Sequence, residues 1–359
     1  MQARQQQMYT CVSATVSDMH TAGEPLRIIE KVTPDPLLLS QRTSLLALRR
    51  HLSDNCDWLR RFVVLEPRGH ADMYAAYLIR PACHPQADVS VLFLHNDGYS
   101  TMCGHAVIAL AKYGASRGLV EATPPRTTVN IECPCGLVQA AYHHGDEDNP
   151  DSSSFISVPA FLDATYNNFT VQLEDQSSKQ FTELTLNFDL AYGGAYYVIL
   201  PARQLGLDIQ TDAVDSLIRI CQQLKAAISS RVDVSRNELL CPDLAFIYGV
   251  ILTDGRDGEL ESDNLCVFAD GEVDRSPTGS GVTARVAAQA AKGQVRQDGV
   301  WRTFRNSKTG SVMLGRLAEE VDAASGTVRV EVSGRAFFTG SGVLTAETGD
   351  PMLPGFRVK

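Results

Sequence analysis

Cys103 and Thr278 each stand directly before a glycine at the head of a small-residue run, Cys103-Gly-His-Ala-Val and Thr278-Gly-Ser-Gly-Val. Both runs continue as apolar, helix-forming sequence, so each nucleophile-type side chain falls where a helix begins. The first turn of a helix leaves backbone N–H groups unpaired and carries partial positive charge. That setting binds a carboxylate and favours a thiolate. A free thiol has a pKa of about 8.5, and the helix start is expected to draw Cys103 toward neutrality, as a base for a carbon-bound proton. A threonine hydroxyl in the matching place titrates far above neutral and can neither take nor give a proton usefully. The two runs are alike in form and unlike in chemistry.

The plainer reading of Cys103 is a buried core thiol, a common fate for cysteine. Gly104, which admits close backbone approach, and the adjacent His105 weigh toward function. His105 can hydrogen-bond a substrate carboxylate or amine, or cap the helix. Asp274, in the extended approach to Pro277, offers a carboxylate to a substrate ammonium; a turn or N-cap role is the alternative. The run Thr278-Gly279-Ser280-Gly281 presents consecutive N–H donors, as an anion nest does. Many turns read TGSG, so it gains weight only beside the Cys103 run.

The elements that must position these residues are mostly strands. RFVVLEP, MYAAYLI, VSVLFLH, TVNIECP, FISVPAF, ELTLNFDLA, AYYVILP, AFIYGVIL, NLCVFAD, VRVEVSG and AFFTG are short, β-branched or aromatic, and bounded by turn residues. Many follow one another without a helix between them, which favours antiparallel or mixed sheets. Helices are expected at Leu37 to Leu52 and Ala213 to Ile228 with mixed faces. Two more, Gly104 to Tyr113 and Gly281 to Ala291, are apolar or small all round and must be buried on every side. Each is therefore the expected central helix of its own sheet-wrapped domain. The order strands, apolar helix, strands occurs twice and suggests duplication. The expected domains are 1–187 with 340–359, and 188–339, reopening at AYGGAYYV. Acidic, turn-rich 144–153 and polar 174–182 are expected loops.

A chain of 359 residues holds two domains with real cores. Its 44% hydrophobic and 21% charged content is that of a globular protein. A net charge of −10 argues against nucleic acid or an anionic membrane as partner. The start, MQARQQQMYT, lacks the apolar core of a secretory signal, and no run reaches the roughly 18 apolar residues of a membrane span. A cytoplasmic enzyme is the expectation. The nine cysteines are scattered. Cys133-Pro-Cys135 has no second pair nearby to complete a zinc site, so a strand end turned by Gly136 is expected there.

Several longer stretches resemble the proline racemase family, within the diaminopimelate-epimerase-like superfamily. They are Asp18-Met-His-Thr-Ala-Gly-Glu-Pro25, Glu66-Pro-Arg-Gly-His70, Asn96-Asp-Gly-Tyr-Ser-Thr-Met-Cys-Gly-His105, Tyr192-Gly-Gly194 and Asp274-Arg-Ser-Pro-Thr-Gly-Ser-Gly281. The resemblance implies two pseudo-symmetric α/β (α+β) domains, each a mostly antiparallel sheet around a central helix, with the site in the cleft between them. It implies an enzyme without cofactor or metal, a cyclic imino acid as substrate, and a homodimer. Racemases and epimerases of the family carry cysteine at both positions; this chain departs from them at Thr278. The Cys/Thr pairing is similar to the branch that dehydrates trans-3-hydroxy-L-proline.

That reading assigns catalysis to Cys103 and Thr278. Substrate would be held by Gly104, His105, Asp274, Gly279 and Ser280, with Tyr74 and Phe268 at positions where the family has aromatic walls. For both aromatics an ordinary core role is the alternative. Three rival functions remain at this stage: a proline racemase or 4-hydroxyproline epimerase, a catalytically silent amino-acid-binding protein, and a zinc or redox module built on Cys133 and Cys135.

Overall fold

A computed structural model describes residues 11–37, 44–174, 180–234, 240–322, 324 and 326–358. The chain opens with strands β1 (Cys11–Thr21) and β2 (Glu24–Thr33), then helices α1 (Leu45–Asn55) and α2 (Trp58–Val64). Strands β3 (Tyr74–Ile79), β4 (Val89–His95) and β5 (Tyr99–Ser100) lead into helix α3 (Gly104–Ser116). Strands β6 (Arg126–Cys133), β7 (Gly136–His143) and β8 (Ser152–Ile156) follow. The second half runs β9 (Phe161–Glu174), β10 (Phe181–Tyr192), β11 (Tyr196–Pro201), α4 (Val214–Ser229), β12 (Ile247–Thr253), β13 (Glu261–Phe268) and β14 (Glu272–Val273). Helix α5 (Gly279–Ala291) precedes β15 (Arg302–Asn306), β16 (Val312–Asp322), β17 (Thr327–Gly334) and β18 (Ala336–Glu347).

The pairing pattern occurs twice. β1 and β2 are antiparallel, β2 and β3 parallel, β3 and β4 antiparallel, β4 and β6 parallel, and β6, β7 and β8 antiparallel. β10 to β17 repeat this order step for step, with β11 parallel to β12 and β13 parallel to β15. Each repeat inserts its apolar helix after a two-residue strand, β5 or β14. The result is a mixed, predominantly antiparallel α/β fold of two pseudo-symmetric halves, joined where β8 pairs with β17. The chain end returns to the first half, because β18 pairs with β1 along its length.

α3 and α5 have no polar face to offer water, and both lie in the apolar interior. One exception on α5 was invisible to a pattern of small residues. Arg285 is 1% exposed, and its guanidinium pairs with Asp257 at 2.7 Å, Ser262 at 2.8 Å and Asn264 at 3.0 Å. A buried charge needs such partners.

Two expectations are corrected, and a third is set against the strands. RFVVLEP is not a strand: its first residues lie in α2, where Leu59, Phe62 and Val63 bury one face at helical spacing. A short apolar run is ambiguous between the two periods. Second, β1, β2, β7, β9 and β16 are strands absent from the expected set, and FISVPAF is divided between β8 and β9. Third, a cut between 187 and 188 falls inside β10, whose pairing with β9 runs from Phe181 to Tyr192, and one at 339/340 falls inside β18. Strand continuity instead separates the halves between β8 and β9. The helix expected at 37–52 is α1, capped by Ser44, whose Oγ accepts the Ala47 N–H at 3.2 Å; residues 38–43 lie outside the described residues. The polar loop expected at 174–182 overlaps the ends of β9 and β10, and its residues 175–179 are not among the described residues.

Candidate active site

The two repeats bring Cys103 and Thr278 to equivalent places, each as N-cap of its half's central helix. Both line one small cavity with Tyr74, Met102, Gly104, His105, Tyr197, Tyr248, Phe268, Asp274, Gly279 and Ser280. Every sequence-expected site residue is in that set. The cavity measures about 20 Å3, room for roughly one water.

The helix starts touch. A Cβ on Gly104 would stand 2.5 Å from the Gly279 Cα and 2.9 Å from the Ser280 nitrogen. Only glycine permits that approach, and it points the unpaired N–H groups of two helices into one volume. Two positive helix ends brought together in this way suit an anion.

Cys103 has extended backbone (φ −144°, ψ 104°), and its sulfur accepts the Ala106 N–H at 3.4 Å. His105 Nδ1 lies 3.1 Å from the same sulfur, and Thr21 Oγ1 donates to the His105 carbonyl at 2.8 Å. Burial, reinforced by the Asp274 and Glu24 carboxylates, pushes the Cys103 thiol well above its ordinary range. The Ala106 N–H and the Tyr74 hydroxyl pull the other way and do not prevail. This direction is opposite to the one expected from the helix start alone. Desolvation and two carboxylates from distant segments outweigh a helix terminus. Burial, then the Arg275 charge, holds His105 down at about 3, so its imidazole is neutral at pH 7.

Thr278 has φ +69° and ψ 91°, a region costly for a β-branched residue. Its N–H donates to Ser276 Oγ at 3.0 Å and its carbonyl accepts the Val282 N–H at 2.7 Å, which holds the strained turn. The Thr278 hydroxyl neighbours the Asp274 carboxyl and the Cys266 thiol, yet meets no partner at hydrogen-bonding geometry. Asp274 Oδ1 accepts the Ser276 N–H at 2.7 Å, while burial raises its pKa. Asn306 Nδ2 donates to the carbonyls of Asp274 and Ser276, at 2.8 and 3.0 Å, and fixes the approach to α5.

Around the cavity stands an aromatic wall. Tyr74 meets the His105 ring edge-on at 4.9 Å, and Tyr248 stacks on Phe268 at 5.4 Å. Tyr197 OH and Ser280 Oγ are 2.8 Å apart. Tyr197 and Tyr248, from β11 and β12, escaped the sequence reading, because an aromatic in a buried strand looks like core. Cys133 and Cys135 flank the β6–β7 turn with Gly136 at φ +129°, as expected. Among the described residues no three His, Cys, Asp or Glu side chains gather as metal ligands.

The proline racemase family profile matches residues 16–357. Trans-L-3-hydroxyproline dehydratase of Xenopus tropicalis is 42% identical over 349 residues, covering 96% of this chain and 95% of that protein. Trans-3-hydroxy-L-proline dehydratase of Homo sapiens is 43% identical over 351 residues, covering 96% and 94%. Among solved structures, a hydroxyproline epimerase from Agrobacterium vitis with bound trans-4-hydroxy-L-proline superposes with a TM-score of 0.82 at 27% identity, over 96% of this chain and 95% of that one. Two repeats meeting at glycine-bearing helix starts, and a profile match spanning both, place the chain in one family: it belongs to the proline racemase family.

Proposed function

We propose that this protein is a hydro-lyase that dehydrates trans-3-hydroxy-L-proline to Δ1-pyrroline-2-carboxylate without a cofactor. The observation that carries this reading is the pairing of one thiol, Cys103, with one threonine, Thr278, at equivalent helix starts around one cavity. Relatives at 42–43% identity bear the dehydratase name, which supports the choice of reaction.

Racemisation needs an acid and a base on opposite faces of the α-carbon, with exchangeable roles. Thr278 cannot serve as either at neutral pH. Dehydration asks for less. In trans-3-hydroxy-L-proline the hydroxyl and the α-hydrogen both lie opposite the carboxylate, hence on the same ring face. One base on that face suffices.

In this scheme the N–H groups of Gly104, His105, Gly279 and Ser280 hold the carboxylate while charge spreads into it from the α-carbon. Asp274 receives the ring ammonium. That cation also offsets the Asp274 charge, which helps keep the Cys103 thiol protonated, so substrate binding favours the thiolate just when it is needed. Cys103 removes the α-proton, the C3–O bond breaks, and the enamine tautomerises to the imine. The aromatic wall of Tyr74, Tyr248 and Phe268 excludes water and strengthens each interaction. The cavity of about 20 Å3 leaves room for little more than a water, and in this scheme the halves part to admit substrate.

We assign residues 11–156 with 336–347 to the first domain and 161–334 to the second. No helix among the described residues is long and apolar enough to cross a membrane. A cytoplasmic homodimer is part of the proposal. Incubation with trans-3-hydroxy-L-proline and trapping of the pyrroline with 2-aminobenzaldehyde tests it; no trapped product rejects the reading.

A further inference from the structure

We infer that Tyr248 is the acid that protonates the departing hydroxyl of the substrate. This rests on the dehydratase reading and supplies the one proton transfer that reading leaves unassigned.

Three tyrosines line the cavity. The Tyr197 hydroxyl is committed to Ser280 at 2.8 Å. The Tyr74 hydroxyl lies against the Cys103 sulfur, where it favours the thiolate. The Tyr248 hydroxyl is different. It is buried and has no hydrogen-bond partner among the described residues. Ser100, its neighbour, gives its own proton to the Met102 carbonyl at 2.9 Å, and its Oγ does not meet the Tyr248 hydroxyl at hydrogen-bonding geometry. Of the buried polar side-chain atoms left without a partner among the described residues, only Tyr248 OH and Thr278 Oγ1 belong to residues lining this cavity. A buried hydroxyl without a partner costs free energy, and a substrate group that satisfies it recovers that cost.

Position separates the two. Thr278 neighbours Asp274 and Cys266, at the start of α5. Tyr248 reaches across to the first half: its ring meets His95 at 6.0 Å, His95 stacks on Tyr74 at 6.0 Å, and Tyr74 meets His105, whose Nδ1 lies 3.1 Å from the Cys103 sulfur, the side from which the α-proton is taken in this scheme. Its ring is fixed by Phe268 stacked at 5.4 Å and by edge contacts with His95 at 6.0 Å and Tyr197 at 6.1 Å. The leaving hydroxyl lies on the Cys103 face, so Tyr248 is the free donor on the correct side.

The transfers balance. Cys103 thiolate takes the α-proton and becomes a thiol. The C3–O electron pair leaves with oxygen, which takes the Tyr248 proton and departs as water. The thiol proton then passes to the phenolate, through that water, and both residues regain their starting forms. Net, the substrate loses water. Burial keeps Tyr248 protonated well beyond the ordinary phenol range, so it enters each cycle as a donor. Even so, a phenol is a far stronger acid than water, so its proton moves readily to a leaving hydroxide.

Tyr248→Phe keeps the ring and its stacking and removes only an unpartnered hydroxyl. With trans-3-hydroxy-L-proline in deuterated water, kcat for elimination should fall by about 100-fold or more. The carbanion should then return to substrate, so deuterium should accumulate at the α-carbon of recovered trans-3-hydroxy-L-proline, unlike in the wild type. Exchange of the α-hydrogen of L-proline, which has no leaving group, should stay near the wild-type rate and serves as the check on fold and on Cys103. Elimination within about 3-fold of wild type overturns the assignment, as does equal loss of exchange and elimination. A wild-type enzyme that neither eliminates nor exchanges instead rejects the dehydratase reading itself.

Discussion

Gly104 and Gly279 meet backbone to backbone, with a Cβ on the second placed 2.7 Å from the Cα of the first. That contact joins the two repeats at the point where both helices present their N–H groups. It makes the anion site a property of the closed pair rather than of either half.

Gly279→Ala should therefore damage function more than folding. The extra methyl must push the helix starts apart, an overpacking cost of about 1–3 kcal/mol that opening of the cleft can largely relieve. We expect a modest loss of thermal stability, and loss of nearly all protection by a planar carboxylate such as pyrrole-2-carboxylate. Thermal unfolding with and without that ligand checks both.

Cys103→Ser should abolish dehydration and leave ligand binding in place. Serine keeps the size but offers no accessible anion. Turnover of the purified variant, set beside titration with pyrrole-2-carboxylate, reads the two effects separately. Substantial residual turnover would remove Cys103 as the base.

Thr278→Cys restores a thiol on the second face. It should yield slow but detectable racemisation of proline or epimerisation of 4-hydroxyproline, limited by imperfect placement of the new acid. Dehydration should survive, since its proton transfers belong to the Cys103 face. Thr278→Ala should retain part of the dehydratase activity and gain no isomerase activity. Chiral chromatography of both variants checks this; a Thr278→Ala enzyme as inactive as Cys103→Ser would give the hydroxyl a direct chemical role.

His105 makes stability depend on pH with a definite sign. Its folded pKa is about 3 against an ordinary 6.5. Between those values the unfolded chain binds a proton that the folded chain refuses. The residue's contribution is intact above pH 6.5 and is lost as pH falls, by about 1.4 kcal/mol per unit, down to about pH 3. Glu24 and Asp274 act in the opposite sense, because burial raises their carboxyls and the folded chain holds protons the unfolded chain releases. Denaturant unfolding of wild type and His105→Asn across pH 4.5 to 7.5 isolates the histidine: the wild type should lose stability relative to the variant as pH falls through that window.

The parts of this site legible in the sequence were those with a local signature. α3 and α5 lack a polar face, so burial followed from composition, and the glycines after Cys103 and Thr278 marked where backbones approach. Tyr197 and Tyr248 carried no such mark, since their strands are aromatic for packing reasons as well. The direction of the Cys103 shift was out of reach because it depends first on the full burial of the thiol in the assembled site and then on Asp274 and Glu24, which only the fold brings near. The boundary expected near 188 had a different basis: AYGGAYYV marks the turn between β10 and β11. Position in the chain is a poor guide where strands of two halves pair.

The central claim is that proton transfer is confined to one face of the ring. Its most direct measurement is incubation of the wild-type enzyme, in deuterated water, with trans-3-hydroxy-L-proline and separately with L-proline, followed by pyrroline trapping and chiral analysis. The account predicts trapped pyrroline from the first and, from the second, at most deuterated L-proline of unchanged configuration. Accumulation of D-proline would show a working acid on the Thr278 face and contradict it.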